Sequence, residues 1–201
     1  MSELERWETR FSAPGYHFGT EPNAFLGSQA HLLRPGQTAL AVADGEGRNG
    51  VWLAQQGLDV LSVDFSPTAQ RKAQALAAAR GVPLRTEQAD IDTWTWPDEA
   101  FDVIVGIFVQ FPSPEGQARM FDGMRRALKP GGLLLLEGYG RKQLEYATGG
   151  PKELARLYTR ERLEKAFAGF ASLDIREYDT MTSEGDAHVG MAALVDLVGR
   201  K

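Results

Sequence analysis

The chain contains no cysteine, and this one absence excludes disulfides, thiolate zinc sites and cysteine nucleophiles. Only His17, His31 and His188 remain for nitrogen ligation, so no structural metal is expected. Basic charge is not in surplus either. Lys and Arg number 22 against 27 Asp and Glu, the formal net charge is −5, and the basic residues are scattered rather than massed in a stripe. The counterion release that drives nucleic-acid binding is therefore weak. No apolar run approaches the length of a membrane-spanning helix, and Met1 to Trp7 place no apolar stretch behind their charges, so no secretory signal is read there. These absences describe a cytoplasmic protein whose partner is a small molecule, neither nucleic acid nor membrane, and which is taken as a monomer.

What is present fits one domain spanning residues 1–201. A chain of 201 residues with 43% hydrophobic and 24% charged residues has enough apolar surface for one core and is short for two. From Thr38 onward, short apolar runs alternate with helical stretches. Strands are predicted at Thr38–Ala43, Asp59–Asp64, Leu84–Ala89, Phe101–Phe108 and Leu133–Gly138, each near-continuously apolar, as in a parallel sheet covered on both faces. Helices carry clear punctuation. Ser66 precedes Pro67 as a cap, Ala69, Ala73 and Leu76 share a face, and Gly81 is the stop. Ser113-Pro114 repeats the device, with Phe121, Met124 and Leu128 as the buried stripe and Pro130-Gly131-Gly132 as the stop. An earlier helix is expected from about Arg48 to Gln56, closed by Gly57, and a later one near Thr159. The fold class is α/β, a doubly wound sheet. Two last strands, Ser172–Thr180 and His188–Val198, are joined by Met181–Ala187, too short for a crossover and so a hairpin whose final strand is antiparallel. That hairpin puts His188 at the carboxyl edge of the sheet, where open α/β folds bind ligands, if the strand before it is parallel to the rest.

Asp44-Gly45-Glu46-Gly47-Arg48-Asn49-Gly50 follows the first strand and opens a helix, and Gly45, Gly47 and Gly50 fit G-x-G-x-x-G. The next strand ends in Asp64, placed to accept both hydroxyls of an adenosine ribose. A pyrophosphate would meet the carboxylates of Asp44 and Glu46, whereas S-adenosylmethionine, with its ammonium and sulfonium, would be attracted. The competing view turns both carboxylates to water, with Arg48 offsetting one. Asp90 is placed to accept from the adenine amine and the Ile91 N–H to reach a ring nitrogen; Asp90 is equally a turn residue capping the next segment. Phe65 and Ser66 after Asp64, and Ile107 at the end of the fourth strand, complete the cofactor candidates, with Phe65 and Ile107 as apolar walls or plain core. No tyrosine has a lysine four residues later, which disfavours a dehydrogenase.

On these residues the chain resembles the class I S-adenosylmethionine-dependent methyltransferases, and is similar to the small bacterial tellurite-resistance-type members. The resemblance runs through Gly45–Asn49 with Trp52-Leu53-Ala54, Val60–Asp64, Ala89-Asp90-Ile91, Phe101–Ile104 and Leu128–Gly132. It implies a seven-stranded, mostly parallel Rossmann-like sheet with the final strand inserted antiparallel. Gly45 and Gly47 match the glycines against the methionine part of the cofactor, Asp64 the ribose acid, and Asp90-Ile91 the adenine contact. Tyr16 to Asn23, including Gly19, resembles the segment that folds over the cofactor. The pattern departs at the first strand, where Ala43 stands for the first glycine and Ala41 for the usual acid, a loss that Asp44 or Glu46 compensates in our reading.

Methyl transfer from a sulfonium asks mainly for alignment and exclusion of water, so no obligatory catalytic residue follows. His188 and Tyr16 are the candidates for chemistry, His188 because its ordinary pKa lies near neutrality, with a structural hydrogen-bonded histidine as the plain alternative. His17, in the cover segment, either meets the substrate or is simply exposed, and His31 is read as an exposed helix position. The acceptor pocket is expected from Trp7, Phe11, Tyr16, Phe18, Phe108, Phe111 and the long connection Tyr139–Tyr158. In that connection Arg141, Lys142, Lys152 and Arg156 either attract an anion or form a solvated basic face. The acceptor class is a thiol, a chalcogen oxyanion or an aromatic acid. The alternatives are a non-catalytic S-adenosylmethionine-binding module and an NAD(P)-dependent oxidoreductase.

Overall fold

The computed structural model describes residues 2–146, 148–185 and 188–201. Asp186 and Ala187 of the expected hairpin connection, and Ala147 of the long connection, lie outside the described residues. Seven strands form one sheet in the order β3-β2-β1-β4-β5-β7-β6. They are β1 (Thr38–Val42), β2 (Asp59–Asp64), β3 (Arg85–Gln88), β4 (Phe101–Ile107), β5 (Leu128–Tyr139), β6 (Ser172–Glu184) and β7 (His188–Arg200). Pairings β1–β2, β2–β3 and β4–β5 are parallel, and β7 is antiparallel to β5, with Leu136 opposite Leu197 and Glu137 opposite Asp196. This is the α/β, doubly wound, mostly parallel fold that the apolar pattern implied. Among the described residues no helix is long and apolar enough to cross a membrane.

The chain divides into two compact units. The first holds residues up to Trp94 together with Glu184 and Gly185, and contains β1–β3 with α1 (Glu3–Phe11), α2 (Ala24–Ser28), α3 (Arg48–Gln55) and α4 (Pro67–Arg80). Its helices begin where side chains satisfy the open first-turn N–H groups: the Ser66 hydroxyl accepts from Ala69 N–H, and the Asn23 amide oxygen from Leu26 N–H. Helix α4 is rich in alanine because it packs closely. Ala69 and Ala73 are fully buried, and a methyl at Gly47 would lie 2.5 Å from the Ala73 Cβ.

The second unit, residues 95–183 and 188–201, contains β4–β7 with α5 (Pro114–Ala127), α6 (Gln143–Tyr146) and α7 (Arg160–Ala166). Leu133 to Leu136 carry its core, with Met120, Phe121 and Met124 of α5 and Leu163 of α7 packed as fully buried neighbours. At about 25 cal/mol per Å² of apolar surface removed from water, such a run stabilises the unit by several kcal/mol.

Three expectations are corrected. Strand β3 is largely exposed rather than buried, because it forms one edge of the sheet. Pro130-Gly131-Gly132 does not stop α5; Leu128 is already extended and pairs with Phe101, so these residues lie inside β5 beside a register shift. Strand β6 runs on to Glu184, beyond Thr180, and that extension matters for the site.

Candidate functional site

In the first unit the loop after β1 is held by carboxylates of the chain itself. Asp44 accepts the Gly50 N–H at 3.1 Å, in the first turn of α3, and the Ser62 hydroxyl at 2.8 Å. Burial pushes its carboxyl up to about 7, against the pull of those two hydrogen bonds. Thus Asp44 organises the loop from its position just after β1. Asp64, at the carboxyl end of β2, is buried and accepts Gly45 N–H and Ser66 N–H, each at 2.8 Å. Burial raises its carboxyl to about 6. A further backbone hydrogen bond comes from Phe65, and the two oxygens still have lone-pair capacity for a hydroxyl group. Gly47 caps α3 in the left-handed region, φ +88, and its close approach to Ala73 admits no side chain.

Glu46 does not project as a free charge. It is 3% exposed, with Lys72 Nζ at 2.7 Å on one oxygen and His17 N–H at 2.6 Å on the other. Arg48 offsets the Asp44 charge, as expected, while its ion pair is with Glu184 at 2.7 Å. The Lys72 ammonium also donates to the carbonyls of Ala13 and Gly15, and Tyr16 donates its hydroxyl to the Lys72 carbonyl at 3.3 Å. Tyr16 packs against Val51, Leu76 and Ala77, so the structure places it as an anchor of its segment. Asn49 accepts Asn23 N–H at 3.0 Å, and Gly19 takes φ +75 beside the Gly185 backbone. The start of α4 is covered by α1. Glu8 accepts from the hydroxyls of Ser66 and Thr68 and from Thr68 N–H, and these bonds, against the cost of burial, hold its carboxyl below its ordinary value. Phe11 is buried and faces Gly45. Asp90 is exposed and accepts Asp92 N–H at 3.0 Å, the turn-capping geometry; Ile91 is buried and Phe65 half-buried.

In the second unit, Phe108, Tyr139 and His188 form an aromatic box. The Phe108 ring lies 4.3 Å from His188 and 4.7 Å from Tyr139, and His188 meets Tyr139 edge-on at 6.1 Å. Leu157, Ala192 and Leu194 back it. Phe108 follows β4 with φ +57, a conformation that a bulky residue adopts at a cost. Gln110, buried, fixes the box from below. Its amide oxygen accepts Tyr139 N–H at 2.6 Å and its nitrogen donates to the carbonyls of Tyr139 and Arg156. Ile107 is half-buried at the end of β4, in register with Glu137. The basic residues of the long connection do not converge. Lys142 pairs with Asp179, and Arg156 pairs with Glu153 and donates to the Phe111 carbonyl. Arg141 and Lys142 border a groove of about 610 Å³ that also carries Glu161, Glu164, Glu177 and Asp179.

The loop, Asp64 and His188 are the residues the sequence singles out; the contacts of Glu8, Lys72, Asn23, Gln110 and Glu184 are added by the structure. Asn23 carried a signal, since an Asn after a Pro and before an apolar pair is a helix cap. The others act across long sequence separations and leave no local mark.

An open sheet with a reversed last strand and a glycine-turn loop after β1 is the architecture of the class I methyltransferases. Residues 39–132 match the family model described as a methyltransferase domain. An uncharacterised protein of Mycobacterium tuberculosis is 31% identical over 102 residues, 51% of this chain and 37% of that protein. The chain thus spans about a third of the length of that curated relative. TehB from Haemophilus influenzae has the same fold, with TM-score 0.71, 15% identity, and coverage of 98% of this chain and 66% of that one. A chain from a study of the conversion of a disulfide bond into a thioacetal group during echinomycin biosynthesis gives TM-score 0.71 at 21% identity, covering 98% and 87%. A methyltransferase domain implies S-adenosyl-L-methionine as cofactor, and the buried Asp64 carboxylate with spare lone pairs, beside the backbone of Gly45 and Gly47, fits its ribose and methionine parts.

Proposed function

We propose that this chain transfers a methyl group from S-adenosyl-L-methionine to a small-molecule acceptor, with residues 38–138 holding the cofactor and residues 139–201 supplying the acceptor side of a single domain. One observation carries the choice of ligand. Carboxylates of the chain itself already take a first-turn N–H of α3 (Gly50 to Asp44) and of α4 (Thr68 to Glu8), so a dinucleotide phosphate at either helix N-terminus would meet a competing acceptor. A ligand without phosphate meets no such competition. The cofactor supplies an activated methyl group. The chain's residues bind and orient: Asp64 accepts ribose hydroxyls, the Gly45–Gly47 backbone lies against the amino-acid part, and Ile91 and Phe65 are the apolar contacts of the base. Phe108, Tyr139 and His188 align the acceptor and exclude water, and His188 receives the proton where the acceptor arrives protonated.

Within the acceptor class we favour a thiol or related chalcogen over an aromatic acid. The box is aromatic and imidazole in character, while Lys142 and Arg156, which would have to meet a carboxylate, are committed to Asp179 and Glu153. A soft thiolate needs only alignment, and the echinomycin-pathway chain of the same fold concerns sulfur chemistry. Calorimetry of the full chain with S-adenosyl-L-methionine and with NADH tests the ligand; binding of NADH alone would overturn the reading. Transfer of labelled methyl to a panel of thiols, amines and acids tests the acceptor. Transfer to acids but not thiols reverses that preference, and cofactor binding with no transfer to any of them favours a non-catalytic binding module.

A further inference from the structure

We propose that Glu184 is a positioning residue that latches the segment 16–24 onto the glycine loop, so that the cofactor leaves only when this latch opens. The proposal rests on the cofactor lying against the Gly45–Gly47 turn. Glu184 ends β6, far along the chain from both partners, yet its two carboxylate oxygens collect three different groups. One oxygen accepts Asn23 Nδ2 at 3.1 Å and Ala24 N–H at 2.9 Å; the other accepts Arg48 Nη2 at 2.7 Å. The Arg48 and Glu184 side chains are 7% and 13% exposed, so the ion pair is shielded from water. Such a pair is directional, because neither charge is stable there without the other.

Asn23 makes the latch specific. Its side-chain oxygen caps α2 through Leu26 N–H, its side-chain nitrogen is held by Glu184, and its backbone N–H donates to Asn49 Oδ1, in the first turn of α3. Every polar group of its amide is thus assigned, two of the three links leading to the glycine loop or to the residue that pairs with it. The neighbouring backbones confirm the fit. Gly185 has φ +59, and a methyl on it would run into the backbone of Phe18 and Gly19, so only glycine lets the two strips of chain meet.

The front of the same segment is fastened separately. Lys72 and Glu46 tie residues 13–17, and Phe18 rests on Trp7, whereas Thr20 to Ala24 are held by Arg80, Asn49 and Glu184. Removing the Glu184 charge therefore frees the rear of the segment while its front stays attached. That is the behaviour of a cover that swings on a hinge rather than one that detaches.

The test uses the full chain, with Glu184→Gln and, as an independent route to the same contact, Asn23→Asp, which sets a second carboxylate against the first. Hydrogen exchange without cofactor reads the latch directly. Faster exchange at Asn23 to Leu26 is expected in both variants, with β1 and β2 protection unchanged. Stopped-flow displacement of S-adenosyl-L-methionine reads the consequence: an off-rate raised about tenfold, with the on-rate nearly unaltered. Unchanged exchange at Asn23 to Leu26 in both variants overturns the latch. Faster exchange with an unchanged off-rate overturns its role in retention. A wild-type chain that binds no S-adenosyl-L-methionine overturns the cofactor reading instead, and the exchange arm still decides whether Glu184 holds the segment.

Discussion

The two units solve different problems with different materials. The first fixes a loop by pairing each loop charge with a designated partner: Asp44 with Ser62 and Gly50, Glu46 with Lys72, Arg48 with Glu184. The second builds a box from rings and sets it with a neutral amide, Gln110. Charge and backbone geometry suit a ligand that carries fixed charges and hydroxyls. An aromatic box suits a ligand whose chemistry has yet to be exposed to water. The difference teaches which perturbations should separate the two functions and which should disturb the fold alone.

The largest separation is expected from two glycines. Gly47→Ala puts a methyl 2.5 Å from the Ala73 Cβ at φ +88, a left-handed cost of about 1–2 kcal/mol plus about 1–3 kcal/mol of overpacking. Gly138→Ala puts one 2.5 Å from the Tyr158 ring and 2.7 Å from the Gln110 amide, with overpacking alone. Both should lower the melting temperature. Only Gly47→Ala should abolish cofactor binding in calorimetry, and loss of binding in both would break the division of labour.

Next come the fastenings. Lys72→Met leaves Glu46 buried and uncompensated, for a loss of about 3–5 kcal/mol in urea unfolding. Gln110→Ala removes the acceptor of the Tyr139 N–H and one of the two donors to its carbonyl, which keeps the Tyr158 N–H, for about 1–3 kcal/mol. In the second variant cofactor affinity should hold while acceptor KM rises, because only the box has lost its support.

A smaller effect distinguishes the units by pH. Asp44 and Asp64 titrate in the folded chain near 7 and 6, above their ordinary value of 3.8, so the native state binds protons that the unfolded state has released. Their contribution is therefore fully present below about pH 4 and is lost as pH rises through 6 to 7. Glu8, held below its ordinary value, acts oppositely and loses its contribution as pH falls. Melting temperatures of wild type and Asp44→Asn between pH 4.5 and 8 should converge at the acid end and favour the variant at the alkaline end. A constant gap would remove Asp44 as the titrating group.

Much of the first unit was legible because its signals are local. A cap before a proline, an apolar stripe and a glycine turn each follow from a few neighbouring residues, as at Ser66-Pro67 and Gly45–Gly50. The strand carrying Asp64 was legible for the same reason. The partners of the loop charges were not, since Glu46 and Lys72 are 26 residues apart and Arg48 and Glu184 are 136 apart. Spacing alone made Arg48 the natural counter-ion of the loop, and packing chose Lys72. In the second unit, Phe108 and His188 could be named as candidates, but the box depends on Gln110 reaching the Tyr139 backbone, which no period in the sequence records.

The finest test sets equal backbone strain in the two units against each other. Ala43 has φ +47 and Phe108 has φ +57, and each occupies a region that glycine enters freely. Ala43 follows β1 directly, and its residue is half-buried. Ala43→Gly should relieve about 1 kcal/mol of left-handed cost while adding about 0.5–1 kcal/mol of unfolded-state entropy, a net gain near zero to about 0.5 kcal/mol. In a chain of 201 residues that is a rise of about 1–2 °C in melting temperature, with cofactor affinity unchanged. Phe108→Gly relieves the same strain but deletes the ring that touches both His188 and Tyr139, so it should destabilise by about 3 kcal/mol and abolish methyl transfer. Opposite signs from one backbone conformation would mean that the strain at Phe108 is maintained by the ring it presents, while that at Ala43 is tolerated because it costs little. Equal signs would mean that neither position is specialised.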